Sequence, residues 1–168
     1  MIEAVALIVF PALMVFAAFS DLFTMTIPNR VSLILVFIYF ALAAYLALPW
    51  QTLAMHVSCG LAMLALTFVL FQFGWVGGGD AKLASATALW LGWENLLDYG
   101  LIASLAGGVL TVAIIALRWH DLPQRLLSIG FVARLADKGA GVPYGIALAI
   151  AGLLIYPQTG LWAKLGGL

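Results

Sequence analysis

The stretch "FQFGWVGGGDAKLASATALWLGW", residues 71–93, decides how this chain is read. Two apolar runs flank three consecutive glycines, an aspartate and a lysine, so the polypeptide breaks at a polar point and then re-enters an apolar phase. The same alternation extends in both directions. Of 168 residues, 65% are hydrophobic and 8% charged, and the mean hydropathy is +1.16. Apolar runs of about 20 residues recur, each long enough to cross roughly 30 Å of hydrocarbon. The chain reads as an all-α, polytopic membrane helix bundle forming a single domain over residues 1–168.

Polar interruptions divide it into about six spans, at 2–20, 31–49, 52–73, 81–97, 99–117 and 142–163. The first could be taken for a secretory signal, but it lacks a basic start and carries Glu3, so it is read as a retained span. The connections 21–30, 74–82 and 118–141 hold Arg30, Lys82, Arg118, Arg125, Arg134 and Lys138, against Lys164 on the other side. Basic residues stay on the cytoplasmic side, so both termini are expected outside. The longest connection, Arg118 to Gly139, has a rough helical spacing of apolar residues and reads as one amphipathic helix at the headgroups, either setting topology or docking substrate. Trp50, Trp90, Trp93 and Trp162 are expected in an outer aromatic belt, and Trp75 and Trp119 in an inner one.

Composition also excludes functions. A net charge of zero with few charged positions gives no basic field, so nucleic acid is not an expected partner. Cys59 is the sole cysteine, so neither an intramolecular disulfide nor a cysteine-rich zinc site can form. No metal or cofactor is expected.

By this topology Asp21, leaving span one, and Asp80, entering span four, fall on one membrane face at similar depth. An ionisable group near hydrocarbon costs free energy, which makes its retention a sign of use. Two carboxylates held close do not both ionise easily, so one stays protonated while the other is a base, the equipment for adding water to a peptide carbonyl. Asp80 is expected at a helix N-terminus, which favours the anion, and Asp21 at a C-terminus, so Asp80 is read as the ionised member of the pair. The blander reading makes Asp80 an N-cap after a glycine turn and Asp21 an ordinary interfacial residue.

Further motifs weigh against coincidence. "SDLFTMTIPNR" (residues 20–30), "GGGDAKL" (residues 77–83) and "VPYGIALAIAG" (residues 142–152) together make the chain resemble the type IV prepilin peptidases, intramembrane aspartyl proteases of the Gly-x-Gly-Asp type. The resemblance covers nearly the full length. It implies that Asp21, before Ile27-Pro28-Asn29, and Asp80, after Gly77-Gly78-Gly79, are the catalytic pair. It also implies prepilin and pseudopilin precursors as substrates, cleaved at the cytoplasmic face of a bacterial inner membrane, with the outside termini then in the periplasm. Larger members carry an N-terminal region with paired cysteines and an N-methyltransferase function; no such region is seen in this sequence, which is similar to the compact peptidases of tight-adherence (Flp) pilus systems. Archaeal preflagellin peptidases form a similar branch.

Supporting roles stay open at this stage. Gly77, Gly78 and Gly79 either admit a substrate backbone or simply form a turn. Pro28 and Asn29 are expected to start span two and hold the Asp21 loop. Lys82 either biases the charge of the pair or, the favoured reading, snorkels to lipid phosphates. Tyr144 either orders substrate and water or anchors at the interface. His56, in span three, is expected to be a packed polar residue far from the aspartates. Gly107-Gly108 in span five allows close helix approach, within or between chains. Two rival functions remain: a small proton- or cation-translocating protein, and a non-catalytic component of a pilus or secretion assembly.

Overall fold

The computed structural model describes residues 2–120 and 122–166, with side chains from Leu7 onward, so Glu3's side chain lies outside them. The elements are α1 (Ile2–Thr24), α2 (Asn29–Tyr45), α3 (Trp50–Gln72), α4 (Gly78–Leu91), α5 (Trp93–Trp119), α6 (Gln124–Leu127), α7 (Gly130–Ala136), α8 (Gly145–Ile155) and α9 (Gly160–Gly166), with a 3-10 turn at Tyr156–Gln158. The architecture is an all-α membrane bundle.

By length and composition α1, α3 and α5 are each able to cross a membrane, and the pair formed by α8 with its 3-10 turn and α9 is a fourth candidate, bent by 60°. The last expected span is therefore broken rather than straight. Pro157 lies in the 3-10 turn where the helix gives way. The apolar α2 is shorter, 17 residues.

Several expected boundaries move, each for a local reason. α1 does not stop at Ser20. It runs to Thr24 and ends where Met25 adopts φ +54°, which puts Asp21 inside the last turn. α2 ends at Tyr45, shortly before Ala47 at φ +47°. The fourth span ends at Leu91 because Gly92, at φ +72°, takes a conformation that glycine adopts without strain. Glu94, Asn95 and Asp98 consequently open α5 instead of closing α4. The Arg118–Gly139 connection holds two short helices, α6 and α7, separated at Ile129, which is extended at φ −85°, ψ 114°.

At 14 residues α4 is about 21 Å long, well under the hydrocarbon thickness. It is also the centre of the molecule. Ten of its residues are buried, including the unbroken run Leu83 to Leu91, and α2, α3, α5 and α8 all pack on it. Small side chains at Ala81, Ala84, Ser85, Ala86 and Ala88 let these neighbours approach closely, as helix packing in lipid requires. Gly60 of α3 fits tightly against α4, since a Cβ there would stand 3.1 Å from Leu89 Cβ.

At the end remote from Asp80, Trp90 is fully buried against Phe10, Tyr39 and Tyr156. Its indole N–H donates to the Leu35 carbonyl at 3.0 Å. Trp90 is thus a core residue and not a member of the outer belt. A buried indole with a backbone acceptor satisfies both its apolar body and its polar handle. Trp50 and Trp119 are exposed at helix ends and Trp75 is exposed in the α3–α4 connection. Lipid-facing surfaces are covered by residues such as Phe37, Leu97, Leu105 and Val109, all more than two thirds exposed.

Candidate active site

Asp21 sits in the last turn of α1 and is buried. Its Oδ2 accepts a hydrogen bond from the backbone N–H of Gly145, 2.7 Å away, the first residue of α8. Asp80 lies in the first turn of α4. Its Oδ2 leans back over Gly77, 2.7 Å from where a Cβ would stand. Asp80 Oδ1 is buried and has no hydrogen-bond partner among the described residues.

Both carboxylates open on one cavity of about 820 Å3. Each is also met by a helix N-terminus, Asp21 by that of α8 and Asp80 by its own. Asp21 at the end of α1 and Asp80 at the start of α4 stand where the dipole argument expected them, and the start of α8 adds a second helix end at Asp21.

The three glycines before Asp80 have separate neighbours. Gly77 leaves room for the Asp80 carboxylate, a Cβ on Gly78 would stand 3.3 Å from the Phe71 ring, and one on Gly79 would stand 3.2 Å from Ile27 Cβ. Their space is taken by the chain's own side chains. Gly77 is the residue before α4, at φ −69°, ψ 146°, with no side-chain cap. Asp80 is two residues inside α4, so it is not the N-cap.

Pro28 precedes α2 at φ −61°, ψ 133°, and its carbonyl accepts from Val31 N–H. Asn29 and Lys82 meet each other, Lys82 Nζ donating to Asn29 Oδ1 at 2.8 Å. Neither lines the aspartate cavity. Tyr144 does line it, packing its ring over Gly107 so closely that a Cβ there would lie 2.2 Å from Cζ. Gly107 therefore serves packing within the chain. His56 is remote, with its Nδ1 2.9 Å from the Leu89 carbonyl, beside Gly92. Among the described residues no group of three His, Cys, Asp or Glu side chains gathers as metal ligands.

The sequence profile of the type IV leader peptidase family matches residues 8–112, more than half of the chain and inclusive of both aspartates. The chain belongs to this family. It is also similar to several curated prepilin leader peptidase/N-methyltransferases. With that of Bacillus subtilis (strain 168) it shares 28% identity over 158 residues, 92% of this chain and 56% of the relative. With that of Aeromonas hydrophila it shares 29% over 147 residues, 80% of this chain and 42% of the relative. With that of Aeromonas salmonicida it shares 34% over 77 residues, 46% of this chain and 21% of the relative. The chain thus spans at most a little over half the length of these relatives. No solved structure matches it significantly.

In this member of the family the residues around the two aspartates include some that sequence reading passed over. Ile27 is wedged between α4 and α8. Its Cβ faces Gly79, and its Cδ1 lies 2.6 Å from a Cβ position on Gly145. Gly145 supplies the N–H on Asp21, 124 residues away in sequence. Tyr99 of α5 lines the cavity, and its buried hydroxyl has no partner among the described residues. The presence of Ile27 in Ile-Pro-Asn and of Gly145 in Pro-Tyr-Gly was a signal of position; their mutual contact had none.

Proposed function

We propose that the chain is an aspartic endopeptidase which removes the leader of type IV prepilins and pseudopilins of the Flp kind, working at the cytoplasmic face of the inner membrane. The observation that carries this reading is the convergence of Asp21 and Asp80, from different helices, on one cavity. The names of the curated relatives supply the substrate class. The cytoplasmic assignment is supported by Arg30, Lys82, Arg118, Arg125, Arg134 and Lys138, which the loop-charge argument groups with the aspartates.

In the proposed reaction one water lies between the two carboxyl groups. The ionised carboxylate takes a proton from the water as its oxygen attacks the scissile carbonyl carbon, and the protonated carboxyl donates to the carbonyl oxygen. Collapse of the tetrahedral species breaks the C–N bond, with the proton returned to the leaving amine. The unpartnered Asp80 Oδ1 suits a group that must bind water or substrate. The Gly145 N–H fixes Asp21 without consuming its second oxygen.

The test is co-expression with a prepilin precursor and mass spectrometry of the product. Asp21→Asn and Asp80→Asn are expected each to leave the precursor uncut while the protein stays in the membrane. Leader removal by either variant would overturn the assignment.

A further inference from the structure

A second concavity lies behind the catalytic helix. α2 and α3 both pack on α4 and leave between them a groove of about 450 Å3. Asp80 and Ala84 line the aspartate cavity, whereas Lys82, Ala86 and Leu89 line this groove. At 100° per residue, positions 80 and 84 lie on the opposite side of α4 from 82, 86 and 89. The two concavities share a helix but not a face.

The groove is graded along its length. Asn29, Ser32 and Lys82 stand at the end near the start of α2, and Phe40, Val57 and Leu89 at the other. From Asn29 to Phe40 the α2 wall extends about 16 Å. Leu33 and Leu61 on the rim are mostly exposed, so the groove opens toward the lipid side of the bundle. Lys82 Nζ donates to Asn29 Oδ1, a neutral acceptor that leaves the lysine charge uncompensated by this bond. An ammonium has three donors, so two remain for another acceptor.

We infer that this groove is a binding site for an anionic phospholipid of the surrounding bilayer, its phosphate on Lys82 and Asn29 and one acyl chain along the α2–α3 walls. Charge complementarity selects the occupant. A cation at the interface end and walls beyond it that are apolar apart from Ser85 fit an amphiphile with one negative head, and basic clefts between membrane helices are recognised sites for such headgroups. A precursor's basic leader would meet like charge at Lys82. An acyl chain seated there backs α4 on the side opposite Asp80.

The site is tested by binding, independently of peptide cleavage. The protein is purified in nanodiscs of phosphatidylcholine with graded phosphatidylglycerol, and retained lipid is read by native mass spectrometry. Phosphatidylglycerol is expected to be retained in preference, by about fivefold from one lysine near the surface. Lys82→Gln should erase that preference. Leu61→Trp, which narrows the groove from an exposed position, should lower retention of both lipids. Equal retention of the two lipids by the unaltered protein overturns the inference, as does an unchanged preference in Lys82→Gln. Displacement of bound lipid by a precursor's apolar segment, or protection of the groove by a second copy of the chain, would do the same.

Discussion

A methyl group added at Gly145 would stand 2.6 Å from Ile27 Cδ1 and 2.8 Å from Asp21 Oδ2. The Ile27 clash is with the tip of a side chain, whereas the Asp21 carboxylate is held by the same residue's N–H and lies directly in the path of the added methyl. Gly145→Ala should therefore displace the Asp21 carboxylate and lower leader cleavage by about a hundredfold, the penalty of a misplacement on the order of 1 Å. Quantified turnover of a co-expressed precursor, with protein levels matched, checks this. Gly107 and Gly108 make a paired control. Gly107→Ala should destabilise the fold by about 1–3 kcal/mol through its clash with Tyr144. Gly107→Ala with Tyr144→Ala should recover part of that loss. Nothing stands within 4 Å of a Cβ at Gly108, so Gly108→Ala should be neutral or stabilising. Thermal unfolding in detergent separates the three variants. The chemistry proposed also needs one carboxyl ionised and the other protonated. Activity should then fall on the acid side as the base is protonated and on the alkaline side as the acid is lost, giving a bell-shaped profile that belongs to the pair.

Among the elements, α4 carries the most consequence. Trp90→Phe removes the indole N–H from the Leu35 carbonyl in a fully buried setting and should cost about 1–3 kcal/mol, read from the thermal midpoint. The sequence made the membrane helices and the two aspartates legible because both signals are local: long apolar runs, and carboxylates at their polar breaks. It misread Trp90 because position along a span does not tell whether a face meets lipid or other helices. It misplaced the α4–α5 boundary because Glu94, Asn95 and Asp98 look like an ending, while acidic residues equally suit a helix start once Gly92 has turned the chain. Hydropathy likewise cannot separate a straight final span from the bent α8–α9 pair, since both halves are apolar. Contacts such as Gly145 to Asp21 span most of the chain and leave no periodic trace.

For the whole molecule, Arg118 joins the end of α5 to the connection that leads into α8. Its Nε donates to the Leu135 carbonyl and its Nη2 to those of Ala140 and Gly141, all at 2.9 Å. Arg134 of α7 donates to the Phe23 carbonyl near the end of α1, and the Phe131 and Phe23 rings meet edge to face. Residues 124–141 are thereby tied to two helices at the end of the bundle where Asp21 lies. Arg118→Ala should release them, seen as faster tryptic cutting at Arg125, Arg134 and Lys138 than in the unaltered protein.

The short, enclosed α4 bears on how the chain enters the bilayer. Too brief to reach across hydrocarbon unaided, and with Asp80, Lys82 and four alanines among its 14 residues, it has little tendency to partition from the translocon by itself. Its seat is completed only when α8, more than fifty residues downstream, has been synthesised. Insertion of the segment bearing Asp80 is thus tied to completion of the bundle, and ribosome-bound intermediates that stop before α8 should leave it reachable by water-soluble thiol reagents at an introduced cysteine.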